Sequence, residues 1–92
     1  MKSIIQNEKE CLVCGTPYGL HKHHIFFAGN RQVSERNGFT CYLCWQHHIG
    51  PYGVHYDREL DKAIKRRCQA KYEETHTRAE FMALIGRNYL ED

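Results

Sequence analysis

No stretch of this 92-residue chain approaches the roughly 20 consecutive apolar residues needed to cross a bilayer. With a mean hydropathy of -0.70, a transmembrane span is excluded and no membrane partner is expected. The opening residues, Met1-Lys-Ser-Ile-Ile-Gln-Asn-Glu8, also lack the apolar stretch of about 7–15 residues that marks a secretory signal, so a cytoplasmic location is expected. Cysteines number five. An odd count argues against a fully paired disulfide framework, and in a reducing compartment thiols are read first as metal ligands or buried apolar groups. There are no internal repeats, no low-complexity tract and no linker-like segment, and the length leaves no room for two independent cores. A single domain over residues 1–92 is the expectation.

Histidine, by contrast, is abundant. Of seven, six (His21, His23, His24, His47, His48 and His55) fall in one 35-residue window that also holds Cys41 and Cys44. The formal charge of only +2 hides an asymmetry: residues 20–72 carry nine Lys/Arg against four Asp/Glu, whereas residues 73–92 carry two against five. A polyanionic partner would therefore meet the middle of the chain.

Glycine and proline punctuate the chain into coarse segments. Cys11-Leu-Val-Cys14-Gly15 is a tight turn that offers two thiols to one point, followed by a Thr16-Pro17-Tyr18-Gly19 turn. Leu20 to Phe27 reads as a strand and Phe39 to Cys44 as a second, the two forming a hairpin. Between them, Ala28 to Gly38 reads as a loop on the strength of Gly29-Asn30 and Asn37-Gly38. Gly50-Pro51-Tyr52-Gly53 interrupts any helix begun at Trp45. The long helix is therefore expected over about 54–74, with Leu60, Ile64, Cys68 and Tyr72 at four-residue spacing on its apolar face. Thr77-Arg-Ala-Glu80 has the capping-box pattern and opens a second helix, over about 77–90, whose stripe is Phe81, Leu84, Ile85 and Asn88 or Tyr89. The fold class that follows is α+β.

A chain of this size buries only about 60–65% of the surface its unfolded form exposes, so a structural metal is a natural supplement to its core. Zinc takes four ligands in a tetrahedron. They commonly come as two pairs whose members are separated by two residues, because one turn then places both about 2.3 Å from the ion. Cys11 and Cys14 form the first pair. The second is either Cys41 with Cys44 or Cys44 with His47, and spacing alone leaves that choice open.

In order along the chain stand Cys11-Leu-Val-Cys14, His23-His24-Ile25, Asn37, and Leu43-Cys44-Trp-Gln-His47-His48. This series resembles the HNH, or ββα-metal, nucleases. In that family a zinc C-x2-C knuckle precedes an acidic residue or His followed by His and a hydrophobic residue, then Asn, then Leu-Cys-x2-Cys-His. The resemblance covers residues 11–56, approximately. A looser likeness to small phage-encoded HNH proteins extends it to about residue 70, carried by His23-His24-Ile25-Phe26, Gly29-Asn30-Arg31, Ser34-Glu35, Leu43-Cys44-x2-His47-His48 and Gly53-Val54-His55.

The resemblance implies a zinc-stabilised ββα-metal, treble-clef-like core with the C-terminal helices packed behind it. It also selects a zinc pairing. With Cys44 and His47 as ligands, His48 falls where the family places a catalytic-metal ligand, 24 residues beyond His24; with Cys41 and Cys44 that place falls on Trp45, which cannot bind a metal. Structural zinc is thus expected on Cys11, Cys14, Cys44 and His47, with Cys41 and Cys68 as buried thiols. His24 matches the family's general base, and His23 and His48 match its catalytic-ion ligands. His55 stands as a third ligand if the Gly50–Gly53 insertion is looped out. The ion implied is Mg²⁺ or Mn²⁺, with Zn²⁺ or Ni²⁺ as alternatives. The family's Asn, which fixes the general base through the hairpin backbone, matches Asn37 by spacing and Asn30 in the phage-like variants. In a regular strand His23 and His24 point to opposite faces, so both reach one site only if the strand ends or bends there.

DNA is the partner that the resemblance implies, with a homodimer or a larger phage or bacterial DNA-processing complex as further assemblies, in the bacterial or host cytoplasm. Arg31 and Arg36, beside the expected site, are candidates for phosphate contact. So are Lys62 and Arg66, which share with Lys65 the helix face opposite Leu60 and Ile64, although a solvated face is the ordinary explanation of such a run. The function expected is a metal-dependent DNA endonuclease leaving 5′-phosphate and 3′-hydroxyl ends. One alternative is a non-catalytic zinc-stabilised DNA-binding module, which has no use for the His24 to His48 spacing. Another is a thiol redox protein built on the C-x2-C motif, which has no use for the histidines.

Overall fold

Two short segments, β1 (Leu20–His24) and β2 (Thr40–Cys44), pair antiparallel with Leu20 opposite Cys44, His23 opposite Cys41 and His24 opposite Thr40. The computed structural model that shows this describes residues 1–91. A two-stranded ribbon is marginal in water by itself, and here the amino-terminal segment covers the other edge of β2. Ile4 N–H donates to the Gly38 carbonyl, Leu12 N–H donates to the Tyr42 carbonyl, and Tyr42 N–H donates to Gln6 Oε1 at 2.7 Å. The backbone groups that an exposed edge would leave open are thus paired within the chain.

The segment expected as a loop between the strands contains a helix, α1 (Arg31–Asn37), entered through a 3-10 turn at Ala28–Asn30. The glycines that suggested a loop are its flanks. Gly38 closes α1 in the left-handed conformation, with φ +72°, and a Cβ there would stand 2.2 Å from the Lys2 carbonyl oxygen. Ser34, fully buried, fastens α1 to the chain leaving β1: its hydroxyl donates to the Phe26 carbonyl at 2.6 Å and accepts from the Phe26 N–H at 3.2 Å. With Phe26 so engaged, β1 stops at His24 rather than at the expected Phe27, and Ile25 and Phe26 turn into the core.

β2 runs directly into α2 (Trp45–His48), which Gly50–Gly53 ends as expected. The chain then folds back on α2, since Val54 N–H donates to the His47 carbonyl at 3.0 Å. A Cβ on Gly53 would lie 2.6 Å from the His48 carbonyl oxygen. Helix α3 (Arg58–Tyr72) begins four residues later than expected. Asp57, in an extended conformation, is its N-cap and accepts from Leu60 N–H at 3.0 Å. Helix α4 (Arg78–Ile85) opens with both capping-box bonds between Thr77 and Glu80, as the sequence indicated. It ends five residues before Leu90, because Gly86 takes φ +87° and terminates it.

The core is largely aromatic. Phe26, Phe39, Tyr72 and Phe81 meet with ring centroids 5.4 to 6.0 Å apart, joined by Leu43, Ile64, Cys68 and Ile85 from β2, α3 and α4. Lys65, expected on the solvent face of α3, is buried. Its ammonium sits 2.7 Å from Asp61 Oδ2 and 4.3 Å above the Phe27 ring. Arg66, expected on the same free face, donates from Nε to the Tyr89 carbonyl at 2.9 Å and ties α3 to the carboxy-terminal segment. Among the described residues, no helix is long and apolar enough to cross a membrane.

Ser34→Ala removes a hydroxyl that pairs a buried backbone N–H and carbonyl together, and each then lacks a partner. The expected cost is about 1–3 kcal/mol of stability, read from chemical denaturation; a value within experimental error of zero would show that α1 is held by other contacts.

Candidate metal centres

The turn after Cys11 closes through Gly15 N–H donating to the Cys11 carbonyl and Cys11 N–H donating to the Thr16 carbonyl, both at 2.9 Å. It presents Cys11 and Cys14 toward the point where β2 becomes α2. There the Sγ of Cys14 lies 3.8 Å from that of Cys44, and His47 Nδ1 lies 3.8 Å from Cys11 Sγ and 3.2 Å from Cys44 Sγ. A tetrahedron whose ligands stand about 2.3 Å from its centre has edges of about 3.8 Å, so this spacing suits one ion. Burial raises the Cys11 thiol, but backbone contacts from Cys14, Cys44 and Val13 outweigh it and bring its pKa down to about 6. A thiol inclined to ionise is what a metal ligand requires. Cys11, Cys14, Cys44 and His47 therefore form a group that can hold a metal such as zinc.

Cys41 stays outside this group. Residues three apart on a strand point to opposite faces, so Cys41 turns into the core while Cys44, at the end of β2, faces the knuckle and is met there by His47 from α2. Burial pushes the Cys41 thiol up to about 12 and the Cys68 thiol well above its ordinary range, and both behave as apolar core residues.

The next residue after His47 belongs to a second group. His48, His23 and His55 each bring a ring nitrogen within 4.8 Å of the others. Their ring centroids are 5.2 Å (His23 to His48), 5.3 Å (His48 to His55) and 6.0 Å (His23 to His55) apart. His23 is 2% exposed and its Nε2 is buried with no hydrogen-bond partner. An orphaned buried imidazole nitrogen is costly unless something ligates it, and the three nitrogens fit a divalent ion. Burial, followed by the neighbouring His48, His55, Lys65 and His24, holds His23 at about 3, and burial also lowers His48. Both rings thus stay neutral with lone pairs free at physiological pH. The folding back of Gly53 on α2 is what carries His55 to this place.

Sequence reasoning assigned no role to His21. It stands two residues before His23 and so shares a strand face with it, and its Nδ1 is 2.9 Å from His48 Nδ1. Strand alternation was the available signal.

His24 is not brought into the triad. It occupies the opposite face of β1, where its Nε2 lies 3.2 Å from Glu35 Oε2 on α1, and its side chain is 13% exposed. Glu35 was also missed, because its approach to His24 depends on α1, which had been read as loop. Asn37, expected to act on the hairpin backbone, instead donates from Nδ2 to the Val33 carbonyl one turn back in α1. Asn30 donates to the Ile85 carbonyl and ties α1 to α4.

Of the candidate phosphate contacts, Arg31 and Arg36 are exposed on α1. Lys62 lines a cleft of about 510 Å³ that borders His55, where Arg58, Lys65 and Arg87 face the carboxylates of Glu59 and Asp61, and Phe27 and Tyr89 form part of its wall. Arg58 and Arg87 were not singled out from the sequence. A scan of protein-family models, a search of curated proteins and a search of solved structures each return no match to this chain.

Two substitutions separate the ligand sets. Cys41→Ala is expected to keep one zinc per chain by native mass spectrometry and to cost about 1 kcal/mol of packing. His47→Ala is expected to weaken zinc retention and lower the melting temperature, because structural zinc binding is folding free energy. Zinc loss from Cys41→Ala with retention by His47→Ala would reverse the assignment.

Proposed function

We propose that this chain is a metal-dependent DNA endonuclease of the HNH type, with zinc on Cys11, Cys14, Cys44 and His47 as a structural staple. His23, His48 and His55 hold the catalytic ion, and His24 serves as general base. The observation that carries the reading is that consecutive residues of α2, His47 and His48, belong to two different metal-binding groups. A staple needs one such group. The second is built from histidines alone, one of them buried with an unsatisfied nitrogen, and a module that only bound DNA would have no use for it.

A divalent cation in the triad supplies Lewis-acid stabilisation of the charge that develops on the phosphoryl and 3′ oxygens. The chain supplies the rest. His23 and His48 offer neutral nitrogens, and His21 steadies His48 through its Nδ1, as outer-sphere partners of metal ligands do. His24 takes one proton from the attacking water; the oxygen left behind bonds to phosphorus, the bond from phosphorus to the 3′ oxygen breaks, and that oxygen takes a proton from solvent. Imidazole suits the first step because its ordinary titration range lies near neutral pH. His24 ends β1 directly after His23, with the two side chains on opposite faces of the strand. Arg31 and Arg36 on one side and Arg58 and Lys62 on the other offer cations for the flanking phosphates.

Supercoiled plasmid incubated with the protein and Mg²⁺, Mn²⁺, Ni²⁺ or Zn²⁺ should be nicked or linearised, and chelator should stop it. His24→Ala should slow cleavage by roughly 10²–10⁴-fold, the usual worth of positioned acid–base catalysis, with zinc content unchanged. A protein that shifts DNA in a gel but cuts it with none of these ions would instead be the non-catalytic zinc module.

A further inference from the structure

A general base must present one ring nitrogen to water in a fixed orientation, which requires something to hold the other. The two asparagines expected to arrange this spend their amides elsewhere, Asn37 within α1 and Asn30 on α4. The hydrogen-bond partner that His24 does have is Glu35, at 3.2 Å from its Nε2. We infer that Glu35 is the positioning residue of this site, fixing the His24 ring and its tautomer through Nε2. This rests on the reading of His24 as the general base.

The chemistry is constrained by what a carboxylate can do. An ionised carboxylate only accepts hydrogen bonds, so Nε2 must carry the hydrogen and Nδ1 is left with the lone pair that takes the water proton. When it does, the Glu35 charge stabilises the imidazolium that forms, as the acidic member of a hydrolytic triad does. The carboxylate is itself held. Its Oε1 accepts from Lys22 Nζ at 2.8 Å, while Oε2 serves His24, so each oxygen has one partner. Lys22 and His24 lie two residues apart on β1 and share a face, and Glu35 meets both from α1. The residue before Glu35 is Ser34, whose two bonds to Phe26 set α1 against the end of β1. Lys22 has a second effect: a carboxylate alone beside a phosphodiester would repel it, and the ammonium offsets that charge.

The bland alternative is a surface ion pair between Lys22 and Glu35 that touches His24 incidentally, since the Glu35 side chain is 47% exposed and exposed pairs contribute little. Two readouts on the full chain with zinc bound distinguish them. Long-range ¹H–¹⁵N correlation spectra of the histidine rings should show His24 as a single Nε2–H tautomer. Glu35→Ala should turn it into a mixture, and Glu35→Gln, whose amide oxygen still accepts from Nε2–H, should keep it. In steady-state cleavage of an oligonucleotide duplex, Glu35→Ala should lower kcat by roughly 10–100-fold with KM unchanged, the scale of losing a hydrogen-bond partner that orients an active-site imidazole. Glu35→Gln should recover part of that loss. An unchanged tautomer in Glu35→Ala, an unchanged kcat, or a loss carried by KM alone would overturn the inference. Failure of the parent chain to cleave with any ion would overturn the nuclease reading instead, and the tautomer comparison would then decide by itself whether Glu35 positions His24.

Discussion

Successive side chains on an α-helix are turned by about 100°, and the placement of both metal-binding groups depends on that rotation within the four residues of α2. Cys44 and His47 close one group with the knuckle thiols, while His48 turns toward β1 and the returning chain at His55. A four-residue helix has no stability of its own. Its geometry is imposed from outside, by β2 entering it, by Gly53 pressed on the His48 carbonyl, and by the packing of Cys44 and His47 against Cys11 and Cys14. Apparent binding energies of structural zinc are about 10–16 kcal/mol in small domains, as large as the whole net stability of about 5–15 kcal/mol of an ordinary one. An ion held at the knuckle would therefore help to fix where His48 stands, because His47 and His48 are neighbours on α2.

The second support comes from strand alternation. β1 sends His21 and His23 to the face that meets α2 and sends Lys22 and His24 to the face that meets α1. His23 of the triad and His24 are thereby separated by the thickness of a single strand while remaining neighbours in sequence. In the proposed reading, a phosphodiester at the end of the hairpin would be approached from two sides by groups that do not compete for one another. Burial differs across the strand: His23 is 2% exposed and its pKa is held down, chiefly by that burial, while the His24 side chain is 13% exposed.

What was legible in the sequence followed from local chemistry. The knuckle spacing, the alternation of the two strands, the Thr77–Glu80 cap and the Gly50–Gly53 interruption each act within a few residues, and each was read from the residues that cause it. The triad of His23, His48 and His55 was legible only through the family resemblance, because it joins parts of the chain that only the fold brings together. The misreadings have separate causes. Gly29 and Gly38 were taken as loop when they bound a helix; with α1 unseen, the approach of Glu35 to His24 could not be foreseen. Asp57 and Gly86 carried ordinary cap signals that would have set the limits of α3 and α4 correctly. Lys65 and Arg66 belong to a run that looks solvated in sequence, yet Asp61, Phe27 and the Tyr89 carbonyl draw them inward.

The central claim is that α2 carries two ions of different character on consecutive histidines. Anomalous diffraction from a crystal of the zinc-bound protein soaked in Mn²⁺, measured at both absorption edges, tests it most directly. A zinc peak is expected among Cys11, Cys14, Cys44 and His47, with a separate manganese peak among His23, His48 and His55. A single peak at the cysteines, with the three histidines empty at saturating Mn²⁺, would contradict it.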